Sequence, residues 1–200
     1  YERSSRLAAA AALQSKAKIP EYLSCTPAGF DDDACLESFA RSFARMAFRR
    51  PVTEDEIADL MVVGKAAATA YESFDAGLEY VIATALQSPS FVYQIEVGDG
   101  PLDETRSLTG IEMATKLSFF LLDTTPSAEL LDRAEAGDLD DDVGVRAIAE
   151  EMVASPKAHA AVEAMYDEIL NLRALATTTK SGDLYPEFSP ELAASMRAET

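Results

Sequence analysis

Leu36, Phe39, Ala40, Phe43, Met46 and Ala47 fall at i, i+3, i+4, i+7, i+10 and i+11. That spacing places them on one face of an α-helix, with Glu37, Ser38, Arg41, Ser42, Arg45 and Arg49 on the other. Asp31–Asp33 precede the run, where carboxylates suit the free N–H groups and positive pole of a helix start. Pro51 denies the residue before it an easy helical conformation, so the helix must stop there. Thr53 with Glu56 then reads as a capping box that opens the next helix. Cys35–Ile57 thus predicts a helix, a stop and a second helix start. Arg49 and Arg50 are read as cations matched to the negative pole of the helix end, with an anion site as the alternative.

The same signals recur along the chain. Helices are expected over Glu2–Lys16, Thr53–Tyr71 and Phe74–Gln87. The small residues Gly64, Ala66, Ala67, Ala68 and Ala70 predict close approach to a neighbouring helix. Pro89 should end the Phe74 helix, and Ser90–Glu96 could be extended or a short helical turn. Val97–Ser107, with its Gly and Pro residues, reads as a loop. Thr109 with Glu112 forms a second capping box and opens a helix to Leu122, whose apolar end at Leu117–Leu122 is expected to be central to a core. Shorter helices follow, to Ala136 with Gly137 as the stop, and from Asp140–Asp142 to Ala154. A further helix from Ser155–Pro156 should run to Leu172, with Val162, Met165, Tyr166, Ile169 and Leu170 facing inward. Arg173–Phe188 reads as a loop, and Ser189–Pro190 starts the last helix. No stretch alternates with period two. The expectation is an all-α, irregular bundle of about nine helices without significant sheet, in two packed helical sub-domains, 1–98 and 99–200.

The 200 residues suffice for a proper core. A net charge of −18 repels nucleic acid and anionic membrane, so nucleic acid is not an expected partner. No apolar run is long enough to span a bilayer. The chain opens on Tyr1 without a Met and ends within a helical pattern, which reads as a piece of a longer polypeptide.

Cys25 and Cys35 are the two cysteines, and they flank an Asp-rich loop. A disulfide, two free thiols or part of a metal site are the options. Two cysteines fall short of the four ligands of a zinc site, and the single histidine is remote in sequence. The disulfide is favoured, and it points to an oxidising compartment.

Asp138, Asp140 and Asp142 lie at i, i+2 and i+4, like the first half of a calcium-binding EF-hand loop. The match then fails, because Val143 stands where Gly is needed and Ala149 where the bidentate Glu belongs. An acidic helix start is the plainer reading. His159 could serve as a base or haem ligand, yet nothing at a working spacing orients it, and an exposed helix position is expected. Tyr71, Tyr80, Tyr93 and Tyr166 are read as core-edge residues. There is no Cys-x-x-Cys-His, no phosphate loop, no Gly-x-Ser-x-Gly and no His-Glu-x-x-His. No catalytic and no cofactor-binding residues are assigned.

Several stretches together resemble a set of exported bacterial domains of unknown function described from planctomycetes and also found in myxobacteria. FARMAFRRPVTEDEIADL (Phe43–Leu60) is similar to that group's Phe-Ala-Arg-x-Ala-Phe-Arg-Arg-Pro-Val-Thr signature. LQSPSFVYQIE (Leu86–Glu96) is similar to its Leu-Gln-Ser-Pro-x-Phe-Leu-Tyr-Arg-x-Glu motif. LTGIEMATKLSFFLLDTTPSAELLDRAEAGDL (Leu108–Leu139) resembles the opening of a second domain, and Met152–Leu172 and Tyr185–Thr200 resemble its continuation. Gln94 and Lys116 stand where Arg is usual, and Leu122 where Trp is usual. The resemblance implies a helical domain pair in a larger periplasmic, surface or secreted protein. A cytochrome c-like domain is implied as a neighbour on the same polypeptide or as a partner, so haem would sit outside this segment. The expected role is a helical scaffold or interaction region, with a segment of an exported oxidoreductase or polysaccharide-degrading enzyme as the alternative. The enzyme alternative expects a pocket lined by Arg41, Arg45, Arg49, Tyr93 or Lys116.

Overall fold

Helices in this chain begin where a side-chain oxygen can accept one of the N–H groups that a helix start leaves open. Asp32 accepts from Cys35 N–H at 3.1 Å and caps α2 (Asp33–Phe48). Thr53 and Glu56 form the reciprocal capping box of α3 (Glu54–Tyr71). Ser73 caps α4 (Phe74–Ala85), and Ser88 starts the four-residue α5 (Pro89–Val92) with proline in its first turn. Pro89 therefore opens a short helix after the preceding one has ended. The remaining α-helices are α1 (Glu2–Ser15), α6 (Gly110–Leu122), α7 (Ala128–Glu135), α8 (Asp142–Val153), α9 (Pro156–Ile169) and α10 (Pro190–Glu199), with 3-10 turns at Ile19–Glu21 and Leu172–Thr177.

This computed structural model describes residues 1–15, 19–101 and 104–199. The expected inclusion of Lys16 in the first helix, and of Leu102 and Asp103 in the central loop, lies outside the described residues, as does Thr200. Among the described residues the protein is all-α, with nine helices of eight residues or more and no strand beyond an isolated Asp99–Ser107 bridge. None of these helices is long and apolar enough to cross a membrane.

The chain packs into two units. The first comprises Tyr1–Lys116 and Thr125–Val145, and the second Leu117–Thr124 and Arg146–Thr200. In the first, Leu36, Phe39, Leu78 and Val81 are fully buried and join Ala9, Ile57 and Ile82 in one core. Phe39 stacks on Phe43, which meets Tyr22 edge-on. Gly64 of α3 and Gly77 of α4 let the two backbones come together. A methyl on Gly64 would lie 2.6 Å from Val81 Cγ2 and 3.4 Å from Gly77 O. Cys25 and Cys35 form a disulfide that ties the loop before α2 to its first turn. The charged face of α2 is paired: Arg41 with Glu37 and Glu54, and Arg45 with Asp132 and Glu135 of α7.

In the second unit, Ile148 and Met152 of α8 and Ala193 of α10 are buried. Two expectations are overturned here. The end of α6 is not a core: Phe120 is 82% exposed and Phe119 is partly exposed. Val162, Met165, Tyr166 and Ile169 of α9 and Leu170 at its C-cap are all exposed, and Ala158 alone is buried on that helix. Val153 is exposed as well. Helical periodicity shows which residues share a face; it does not supply the element that covers them.

Candidate functional site

The end of α2, the segment after α5 and the start of α6 enclose a recess of about 300 Å³. Phe48, Arg49, Arg50, Tyr93, Glu96 and Glu112 line it, together with Gln94 and Thr115. These residues come from Phe43–Leu60, Leu86–Glu96 and the stretch beginning at Leu108, three of the five segments that carry the resemblance.

Arg49 terminates α2. Its backbone is left-handed, with φ of 58°, a conformation that costs a non-glycine residue about 1 kcal/mol. The turn drives its side chain inward, where it is 7% exposed. There the guanidinium donates to Ala47 O at 3.0 Å, and to Ser90 O at 2.9 Å, Phe91 O at 3.3 Å and Tyr93 O at 3.1 Å. Arg49 thus holds the carbonyls that the short α5 and its exit leave open. Burial pushes this guanidinium below its ordinary pKa, and the neighbouring Arg50 adds to the shift.

Arg50 takes the opposite course. It forks onto Glu56 at 2.6 and 3.0 Å, donates to Ser90 Oγ at 2.9 Å and lies over the Phe48 ring. The Arg50 hydrogen bonds hold the Glu56 carboxyl at about 2, against a burial effect that raises it. Arg50 therefore has a carboxylate partner, which disfavours the free anion site considered above.

Glu112 closes the other side. Within its capping box it accepts from Thr109 N–H at 2.8 Å and from the Thr109 hydroxyl at 3.0 Å, while Thr109 Oγ1 accepts from Glu112 N–H. It reaches further, accepting from Val97 N–H at 2.6 Å and from Gly98 N–H at 3.0 and 3.1 Å. Burial would raise this carboxyl, but the N–H groups of Thr109, Gly98 and Val97 prevail and hold it at about 2. Gly98 has φ of +66°, and a Cβ there would sit 2.6 Å from Ser107 O, so glycine is required. Lys116 pairs with Glu96 at 2.8 Å, so a cation still serves at that position although Lys stands where Arg is usual.

The arrangement is a clamp on main chain. Residues 90–98 have few buried side chains, yet Arg49 grips their carbonyls and Glu112 their N–H groups. Charge-assisted bonds to backbone are stronger than neutral ones, so two side chains fix a segment with little core of its own.

The other candidates lie elsewhere. Arg41 and Arg45 do not line the recess, whereas Arg49 and Tyr93 do. Asp138 pairs with Arg133, and Asp141 caps Gly144 N–H at 2.8 Å. Asp138, Asp140 and Asp142 do not converge: among the described residues no group of three or more His, Cys, Asp or Glu could hold a metal ion. His159 is exposed, with Glu163 at 3.4 Å. Tyr71 pairs with Tyr80, over which Arg6 lies; Tyr71, Tyr93 and Tyr166 are exposed rather than at the core edge. Pro51 predicts a helix running to about Arg50, whereas α2 ends at Phe48 with Arg49 as its cap. The capping box at Thr109 and Glu112 is as expected, but the shared role of Arg49 and Glu112 is not anticipated. The available signal was an arginine set after a buried Phe-bearing face and immediately before Arg-Pro.

No curated protein and no solved structure matched the chain. Residues 35–96 match the family PSD5, protein of unknown function (DUF1595), and residues 108–200 match PSD4, protein of unknown function (DUF1592). The chain carries these two domains of unknown function in succession.

Proposed function

We propose that this chain is a helical scaffold or interaction region of a larger exported protein, one that holds or docks other domains. The observation that carries the reading is the clamp. Arg49 binds the carbonyls of Ser90 and Tyr93 near the end of the stretch matching the first family, and Glu112, from the stretch matching the second, binds the N–H groups of Val97 and Gly98 just beyond that end. Two of the charged groups of the recess, Arg49 and Glu112, are engaged in holding main chain in place, which suits a rigid connector. The Cys25–Cys35 disulfide supports a periplasmic, surface or secreted location, since such bonds persist in oxidising compartments. A cytochrome c-like domain, on the same polypeptide or as a partner, is part of the proposal.

A second reading, a segment of an exported oxidoreductase or polysaccharide-degrading enzyme, draws on the recess itself and on the exposed Tyr93 at its wall. The test is to isolate the full-length protein from periplasm or membrane, record its haem absorption spectrum and identify co-purifying proteins by mass spectrometry. Haem absorption or a cytochrome partner, unchanged by Tyr93→Ala, supports the scaffold reading. Absence of haem and of any redox partner overturns the cytochrome association. Loss of a measured turnover in Tyr93→Ala, with the fold intact, would favour the enzyme reading.

A further inference from the structure

The second unit holds an apolar groove of about 560 Å³. Phe120, Leu121, Val153, Val162 and Met165 line it, with Phe119 at its side. Along α9, Val162, Met165, Tyr166 and Ile169 continue the surface at i, i+3, i+4 and i+7, a stripe of about 10 Å at the helical rise. Phe120 is 82% exposed and Ile169 67%. Scattered exposed apolar residues are ordinary, but a contiguous groove with an adjoining stripe marks a binding surface. An apolar groove with such a stripe beside it suits the apolar face of a helix, which grooves of this kind accept through i, i+3, i+4 and i+7 anchors.

The charges around it select the occupant. Asp123 and Glu168 lie on the wall, and neither has a cationic partner among the described residues. The one cation on the wall, Arg173, has Asp167 at 3.9 Å. Asp167 is itself paired with Arg197 and Arg173, so the acidity of the wall rests on Asp123 and Glu168. A second copy of this chain would bring a further −18 against the same field, which disfavours self-association. We propose that this groove docks an amphipathic helix from a partner, its apolar face on Phe120, Val162 and Met165 and its flanking positions Lys or Arg. The inference rests on the interaction reading above and assigns it a surface and a partner chemistry.

The test uses this 200-residue chain and three synthetic helical peptides, with binding read by fluorescence anisotropy. One alternates Leu and Lys at helical spacing, one places Glu where the first has Lys, and one keeps the Lys but replaces Leu by Ser. The Leu/Lys peptide is expected to bind, more weakly in high salt. Phe120→Ser and Met165→Ser should each weaken it about tenfold, the effect of losing about 1.4 kcal/mol of contact. Both side chains are exposed, so circular dichroism and thermal melting should match the parent. Equal binding of the Lys/Ser peptide would overturn the groove, and equal binding of the Leu/Glu peptide would overturn the charge selection. Full affinity in both variants, or a dimer that Phe120→Ser dissociates, would overturn the proposal. Any of these results leaves the haem and co-purification test of the scaffold reading untouched.

Discussion

Arg49 joins a strained backbone, a buried charge and four carbonyl acceptors. Lysine keeps the charge but not the planar fork, so it cannot serve those carbonyls together. Arg49→Lys is expected to lower unfolding stability by about 2–3 kcal/mol, because buried acceptors lose their partners. Arg49→Gly should be milder than Arg49→Ala by about 1 kcal/mol, since glycine relieves the left-handed turn; urea melts of the three variants would check the order. Glu56 and Glu112, both held at about 2 against an ordinary 4.5, give the chain an acid limit. Each binds protons less readily folded than unfolded. Their contribution is therefore complete above pH 4.5 and is lost as the pH falls toward 2. Thermal melts across that window should drop steeply in the parent and more shallowly in Glu56→Gln/Glu112→Gln, whose stability at pH 7 is already lower.

Gly64 shows what an element-level contact demands. Alanine has the better helix propensity, by about 1 kcal/mol, but its methyl would lie 2.6 Å from Val81 Cγ2, on a side chain that is fully buried. Gly64→Ala should therefore destabilise by about 1–3 kcal/mol, and adding Val81→Ala should recover part of that loss; a double-mutant cycle of unfolding free energies would show it. This close approach was legible in the sequence, as small residues spaced along α3. So were the capping boxes at Thr53 and Thr109, because a cap is local chemistry written within four residues. The core of α2 was legible for the same reason, through the 3.6-residue period of Leu36, Phe39 and Ala40. What failed was non-local. The stripe on α9 and the apolar end of α6 were read as core, but burial depends on a covering element that periodicity does not name. The clamp was missed because Arg49 and Glu112 act on residues 90–98, more than ten positions away from each, and on main-chain atoms common to any sequence.

For the whole molecule, a charge of −18 and the disulfide act in opposite directions. Self-repulsion weakens the folded chain at low ionic strength, while the Cys25–Cys35 bond restricts the unfolded one. Its reduction, or Cys25→Ser/Cys35→Ser, should cost about 2–3 kcal/mol by loop entropy, seen as a lower denaturant midpoint. The central claim is that two charged side chains hold the main chain of residues 90–98, Arg49 from the end of α2 and Glu112 from the start of α6. Hydrogen exchange on the 200-residue chain at neutral pH, parent against Glu112→Gln, tests it at the amides of Val97 and Gly98. The account predicts slow exchange at both in the parent despite the exposed side chain of Val97. It predicts markedly faster exchange in the variant, with the amides of α3 and α4 unchanged. Equal exchange at Val97 and Gly98 in the two proteins would contradict the clamp and remove the observation on which the scaffold reading stands.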